Sequence, residues 1–351
     1  MTVISALTPN QIAGLSTTAI AGLNTTDIQS LATTQVAALA ATQVNVLNST
    51  DIKAFLATQI AAFSPSIISA LLVAQVQNFV DTQISALTST EIAKLTAAQI
   101  GTLSTTEIQN LTTTQANALT ATQIGGLANA VVDKFSTTEI GNLTTTQVQG
   151  LTTTQLNGIG TTNLDALVAS KLSSTQTAGL TTTTIDKLTT TQIGALTTTA
   201  VQGFTTAQLN AIGTTNLDAL SLSKLSTTQV SGLTTTAFGN LTSTQVSTLT
   251  STQIAALTTG DLNQLTTTEI SAFTATQVGG LTSTQIGALS TARFDAITST
   301  TGIPAISVAA IAGLTTTEIS SLSTTQGNAF TPTQIAAMSI AQLDALVTLV
   351  G

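Results

Sequence analysis

The chain has 351 residues, of which only 6% are charged, and its net charge is −8. That balance excludes the basic face that nucleic acid or a basic membrane-surface helix requires. The absence of Cys, His, Trp and Tyr excludes disulfides and Cys/His metal sites.

Mean hydropathy is positive, at +0.42. Thr and Gln nevertheless interrupt every apolar stretch well short of the roughly 18 residues that span a bilayer, so no transmembrane segment is expected. The opening "MTVISALTPNQ" has no basic n-region and no apolar h-region. The expectation is an extracellular or cell-surface protein exported without an N-terminal signal peptide.

From Leu7 the chain repeats every eight residues. A large apolar residue anchors each unit at position 1: Leu7, Leu15, Leu23, Leu31, Leu39, Leu47, Phe55, Phe63 and onward to Leu167. The consensus is L-[TS]-T-T-[QE]-[IV]-x-[AGN]. A five-residue step joins Leu167 to Leu172, octads resume to Leu220, and a second five-residue step leads to Leu225. Octads then run to Ile297, slip by one residue to reach Ile306, and continue to Leu346. "IGTTNLDAL" occurs at Ile159 and again at Ile212, the mark of a duplicated block. No linker-like stretch divides the array, so the expectation is a single octapeptide-repeat solenoid over residues 1–351, with register breaks near 167–172, 220–225 and 297–306.

Thr and Val favour strands, and a β-solenoid is the alternative architecture. The apolar positions 1, 6 and 8 do not alternate with period 2, however, and the rare residues favour helix. With Thr at position 2 as N-cap, position 5 is N3, where a capping box places Gln or Glu. All five glutamates stand there (Glu91, Glu107, Glu139, Glu269 and Glu318), and so do Asp27, Asp51 and Asp261. Position 3 is then N1, which welcomes proline, and Pro9, Pro65 and Pro332 occupy it. Positions 1 and 6 become the two partners of a hydrophobic staple. Lys94, Lys134 and Lys187 fall at position 8, near the negative end of the helix dipole. The reading is therefore all-α: one short capped helix of about six residues per octad. Such a helix is too short to stand alone, so neighbours must stack, with positions 1, 6 and 8 forming a thin core. The five-residue steps are expected to lengthen a helix locally, as in "NLDALVASKL".

"LTPNQIAGL", Leu7 to Leu15, is similar to the opening helix of the DNA-binding TAL-effector repeats, but the long second helix and the base-reading loop have no counterpart. The whole array resembles the Thr/Gln/Ala-rich octapeptide tandem-repeat proteins of environmental proteobacteria, often labelled heme utilization or adhesion proteins. That resemblance implies a large cell-surface or secreted protein. Heme itself does not suit the composition: the usual axial ligands are His, Cys, Tyr or Met, and only Met1 and Met338 exist, the latter an anchor.

No catalytic, cofactor-binding or metal site is expected. The carboxylates follow the repeat register, at position 5, at position 7 (Asp133, Asp165, Asp186, Asp218, Asp295 and Asp344) and, for Asp81, at position 3. Capping and solvated faces account for them. "SLSK", Ser221 to Lys224, has the S-x-x-K pattern of penicillin-interacting serine enzymes but lacks their companion elements, and the duplicate block reads "VASK". "GIGTTN" at Gly158 lacks the third glycine of a dinucleotide loop.

The last residues, "LDALVTLVG", grow more apolar. Leu346, Val347, Leu349 and Val350 are the candidate assembly end, and replacing Val347 and Leu349 with Asp is expected to abolish head-to-tail self-association. The functional expectation is a non-enzymatic structural repeat protein of the bacterial surface, extracellular matrix or a filament. The alternative is an adhesin, or an ice- or glycan-binding module, that uses a regular Thr/Gln face.

Overall fold

In the computed structural model, which describes residues 3–351, the chain is all-helical. Forty short α-helices and four 3-10 helices follow one another, with no strand among the described residues. Apart from the last, each α-helix has four to six residues. Thr144 shows how a typical unit is built. Its hydroxyl accepts the N–H of Gln147, and the Oε1 of Gln147 accepts the N–H of Thr144, which closes the expected capping box. The helix Thr145–Gly150 then ends at Leu151, whose extended backbone starts the next turn. Pro9, Pro65 and Pro332 each occupy the first helical residue, as the register requires.

Within each of its two units, a helix typically packs on the third helix before it and the third after it, so three octads make one coil. The chain divides into two compact units, 1–172 and 173–351, and the division falls at the end of the first five-residue step. Both units are built in the same way.

Positions 1 and 6 form the core. Ile52, Ile60, Val148, Ile193 and Ile254 at position 6 are fully buried, and the anchors from Leu31 onward are nearly so, apart from the half-buried Ile212. Phe55 and Phe63, successive anchors, meet edge to face at 5.4 Å. The third buried position is 5, not the expected position 8. Gln59, Gln83, Gln99 and Gln334 are each 1% exposed, whereas position 8 is mostly half-buried or open. Small residues at position 8 still matter, because coils approach closely there. A Cβ on Gly150 would lie 2.6 Å from the Ala121 carbonyl oxygen, and one on Gly280 would lie 2.4 Å from that of Ser251.

The five-residue steps do not lengthen a helix. The helix Thr161–Ala166 ends normally at Leu167, and a separate 3-10 helix, Ala169–Lys171, takes the next place in the coil and packs on Thr145–Gly150. Leu222–Lys224 does the same in the duplicate block. The reason is the turn signal: Leu167 and Leu220 adopt the same extended conformation as anchors such as Leu151 and Leu188, so the helix stops there. The one-residue slip is absorbed by a bend at Thr298–Gly302, whose Gly302 and Ile303 N–H groups return to the Thr298 carbonyl. The 3-10 helix Ile303–Ala305, which contains Pro304, follows.

Candidate functional site

The most organised polar feature is the row of side chains at position 5. In most units that carry Gln there, its Oε1 accepts the N-cap N–H of its own helix; Gln75 is an exception, since the Leu72 N–H goes to Asn45 Oδ1. The Gln Nε2 donates across to the coil below, to the position-6 and position-1 carbonyls that end a helix there. Gln83 donates to Ile52 at 2.9 Å and Phe55 at 2.7 Å, and Gln123 to Ile92 at 2.8 Å and Leu95 at 2.5 Å. One buried amide thus satisfies an orphan donor at one helix start and two orphan acceptors at another helix end.

In several units where position 5 is not Gln, another group takes over. Lys171 and Lys224, at position 5 of the two five-residue units, donate Nζ to the Leu143 and Leu196 carbonyls, and Arg293 donates Nε to Leu265 at 2.7 Å. Val131 at position 5 cannot donate, and Lys134 of the same unit reaches the Leu103 carbonyl instead at 2.5 Å. Asn163 and Asn216 are shorter; each reaches a single carbonyl, those of Phe135 and Ile185. The N-cap N–H groups they leave, on Gly160 and Gly213, are accepted by Asp133 and Asp186 at position 7 of the coil below, both at 2.9 Å.

The carboxylates at position 5 keep half of this arrangement. Glu91 Oε2 accepts the Thr88 N–H at 2.6 Å, and Glu318 Oε2 accepts that of Thr315 at 2.7 Å. The second oxygens of Glu91, Glu139, Glu318 and Asp261 are buried with no hydrogen-bond partner. Burial pushes the carboxyls of Glu91 and Glu318 above their usual range, against the lowering effect of the Thr88 and Thr315 N–H and hydroxyl groups. Burial likewise raises Asp51, against its bond from the Asn48 backbone. Position 5 was legible as a cap residue, whereas its reach to the coil below was not, because those partners lie 28 and 31 residues away in sequence.

The other candidates resolve into the same framework. Lys224 Nζ is held by the Leu196 and Gly194 carbonyls, at 2.6 and 3.1 Å, while Ser221 Oγ lies against Ser223 Oγ. Gly160 of "GIGTTN" is a helix N-cap. Among the described residues no group of three or more His, Cys, Asp or Glu is placed to hold a metal ion, and no helix is long and apolar enough to cross a membrane. A surface hollow of about 450 Å³ lies in the second unit and is lined by Asp186, Thr189, Thr190, Thr215 and Asn216, among others.

The candidate assembly end lies on the last helix, Ile340–Val350, which runs on for 11 residues because Val347 stands where a capping Thr would start a new turn. Leu346 is buried. Leu349 and Val350 are half-buried and close over Gly327, whose added Cβ would meet both. Val347 is 64% exposed and Ile340, seven residues earlier, 80% exposed; a seven-residue spacing places them on one helix face. Of the four residues expected there, the structure brings three inward and leaves Val347 facing out, beside an Ile340 that the sequence reading missed.

Residues 254–291 match the family described as ALTTAQ repeat, which supports a tandem-repeat protein. No curated protein matches the chain. Among solved structures, the leucine-rich repeat-containing protein LegL7 from Legionella pneumophila is similar at 11% identity and a TM-score of 0.19, covering 67% of this chain and 80% of that one. A likeness of that size carries no argument about fold or function.

Proposed function

We propose that this is a non-enzymatic structural repeat protein of the bacterial surface, extracellular matrix or a filament, whose copies associate end to end. The observation that carries the reading is where the polar groups go. Many of the side chains with acid, base or amide chemistry, such as Gln83, Asp133 and Lys224, serve the repeat's own bonds at positions 5 and 7, and the chain as a whole is rich in hydroxyls and poor in charge. The exposed face of Ile340 and Val347 supports association through the last helix.

Negative-stain electron microscopy over a concentration series tests this. Filaments with a regular axial repeat, lost in an Ile340→Asp/Val347→Asp variant, are expected; isolated particles at every concentration would overturn end-to-end association. Leu349 is a poor choice for the test, since its side chain belongs to the fold. A second reading, an adhesin or an ice- or glycan-binding module, is favoured by the Thr-lined hollow at Thr189, Thr190 and Thr215. Thermal hysteresis or glycan-array binding, lost when those three residues become Ala, would support it.

A further inference from the structure

Glu91 and Glu318 stand where neighbouring units carry Gln, and the register places the carbonyls of Phe63 and Leu289 opposite their second oxygens. A Gln in this place holds such a carbonyl closely, as Gln99 holds Leu71 at 2.7 Å and Gln83 holds Phe55 at 2.7 Å. An ionised carboxylate has no hydrogen to offer such a carbonyl, so in a Gln's place it sets one buried acceptor against another, and a proton on its second oxygen relieves that conflict. The orphaned buried oxygens of Glu91 and Glu318 mark the place.

We propose that Glu91 and Glu318 are held as neutral carboxylic acids. Each donates its proton to the coil below in place of a Gln amide, so that the two units carry acid-dependent clamps that loosen as pH rises.

The surroundings of Glu91 oppose ionisation. Its helix, Ser89–Ile92, packs on Pro65–Ala70 and Thr113–Ala118, neither of which carries a titratable group. The nearest charge along its own chain is the exposed Lys94. The helix of Glu318, Thr316–Ser321, packs on Thr291–Phe294, which carries Arg293 and is followed by Asp295, and on Ile340–Val350, which carries Asp344. Arg293 is engaged by the Leu265 carbonyl and Ser290, and Asp295 accepts Ser321 Oγ. The upward direction at both sites agrees with the geometry. A carboxyl raised on folding stabilises the native state fully below its unfolded-state value, and that contribution is lost as pH rises through the folded-state value.

The test compares the full chain with a Glu91→Gln/Glu318→Gln variant, which restores the repeat consensus and so keeps the fold. For the wild type, the thermal midpoint should fall by about 2–4 °C between about pH 5 and about pH 8. The variant should lose much of that slope, whereas Glu107→Gln, at a half-buried site, should not. Infrared spectra at neutral pH should show the carbonyl stretch of protonated carboxylic acid in the wild type, diminished in the double variant. Introducing a clamp with Gln99→Glu should steepen the slope. Parallel pH profiles for wild type and double variant, or an infrared band that the double substitution leaves unchanged, would overturn the proposal.

Discussion

A single glutamine at position 5 serves two helices at once, and its worth depends on the coil beneath it. Gln83 and Gln123 each join an N-cap N–H to two carbonyls of an earlier coil. Removing such a side chain leaves buried groups unpaired, which costs about 1–3 kcal/mol per group at most and less where water enters. Gln123→Ala should therefore destabilise its unit by about 2–4 kcal/mol in chemical denaturation. Gln11→Ala should cost under about 1 kcal/mol, because exposed Gln11 makes only its local capping bonds. Equal losses would contradict the cross-coil role. The N-cap position offers the opposite experiment. Leu56 and Val80 replace the usual Thr, make no side-chain cap and are 49% and 37% exposed. Leu56→Thr and Val80→Thr should each raise stability by about 0.5–1 kcal/mol, measured as a higher denaturation midpoint.

At the scale of the element, the octad is the unit of folding, and most of it was legible because its signals are local. Thr144 with Gln147, or Pro332 behind Thr331, are read within four residues of sequence. What escaped the sequence reading depends on residues a coil apart. Burial at position 5 rather than 8 follows from the carbonyls that the next coil presents. The five-residue units looked like helix extensions because "NLDALVASKL" is a good helical sequence on its own. In the fold, Lys171 lies at position 5 of a shortened unit and reaches Leu143 as a Gln would. The four-residue group Leu346, Val347, Leu349 and Val350 was read as one apolar patch; helix geometry turns Val347 away from the other three. Because the octads are interchangeable, removing one whole unit, residues 250–257, should leave a folded chain whose circular dichroism spectrum and cooperative melt resemble the wild type. Removing four residues, 250–253, should instead lower the melting midpoint of the second unit clearly, since Gln277 would then miss the Val246 and Leu249 carbonyls that lie before the cut.

At the scale of the molecule, the helices before the last do not outlive their neighbours, because four to six residues lie far below the length at which an isolated helix persists. Stability is a sum over contacts between successive coils, as in other quasi-one-dimensional repeat proteins. The central claim is that three units make one coil and that a five-residue unit fills a whole place in it. A cysteine-free chain allows a clean test by disulfide trapping. The Cβ of Thr206 lies 3.1 Å from where a Cβ on Gly232 would stand, across the five-residue step at Leu220 to Leu225. That is close to the span of a disulfide once the backbone relaxes slightly. Mild oxidation of a Thr206→Cys/Gly232→Cys variant should yield an intrachain disulfide, seen as a mass loss and a mobility shift, while the pair Thr206→Cys/Asn240→Cys, one octad further on, should remain reduced. Trapping of the Asn240 pair in place of the Gly232 pair would contradict the three-unit coil.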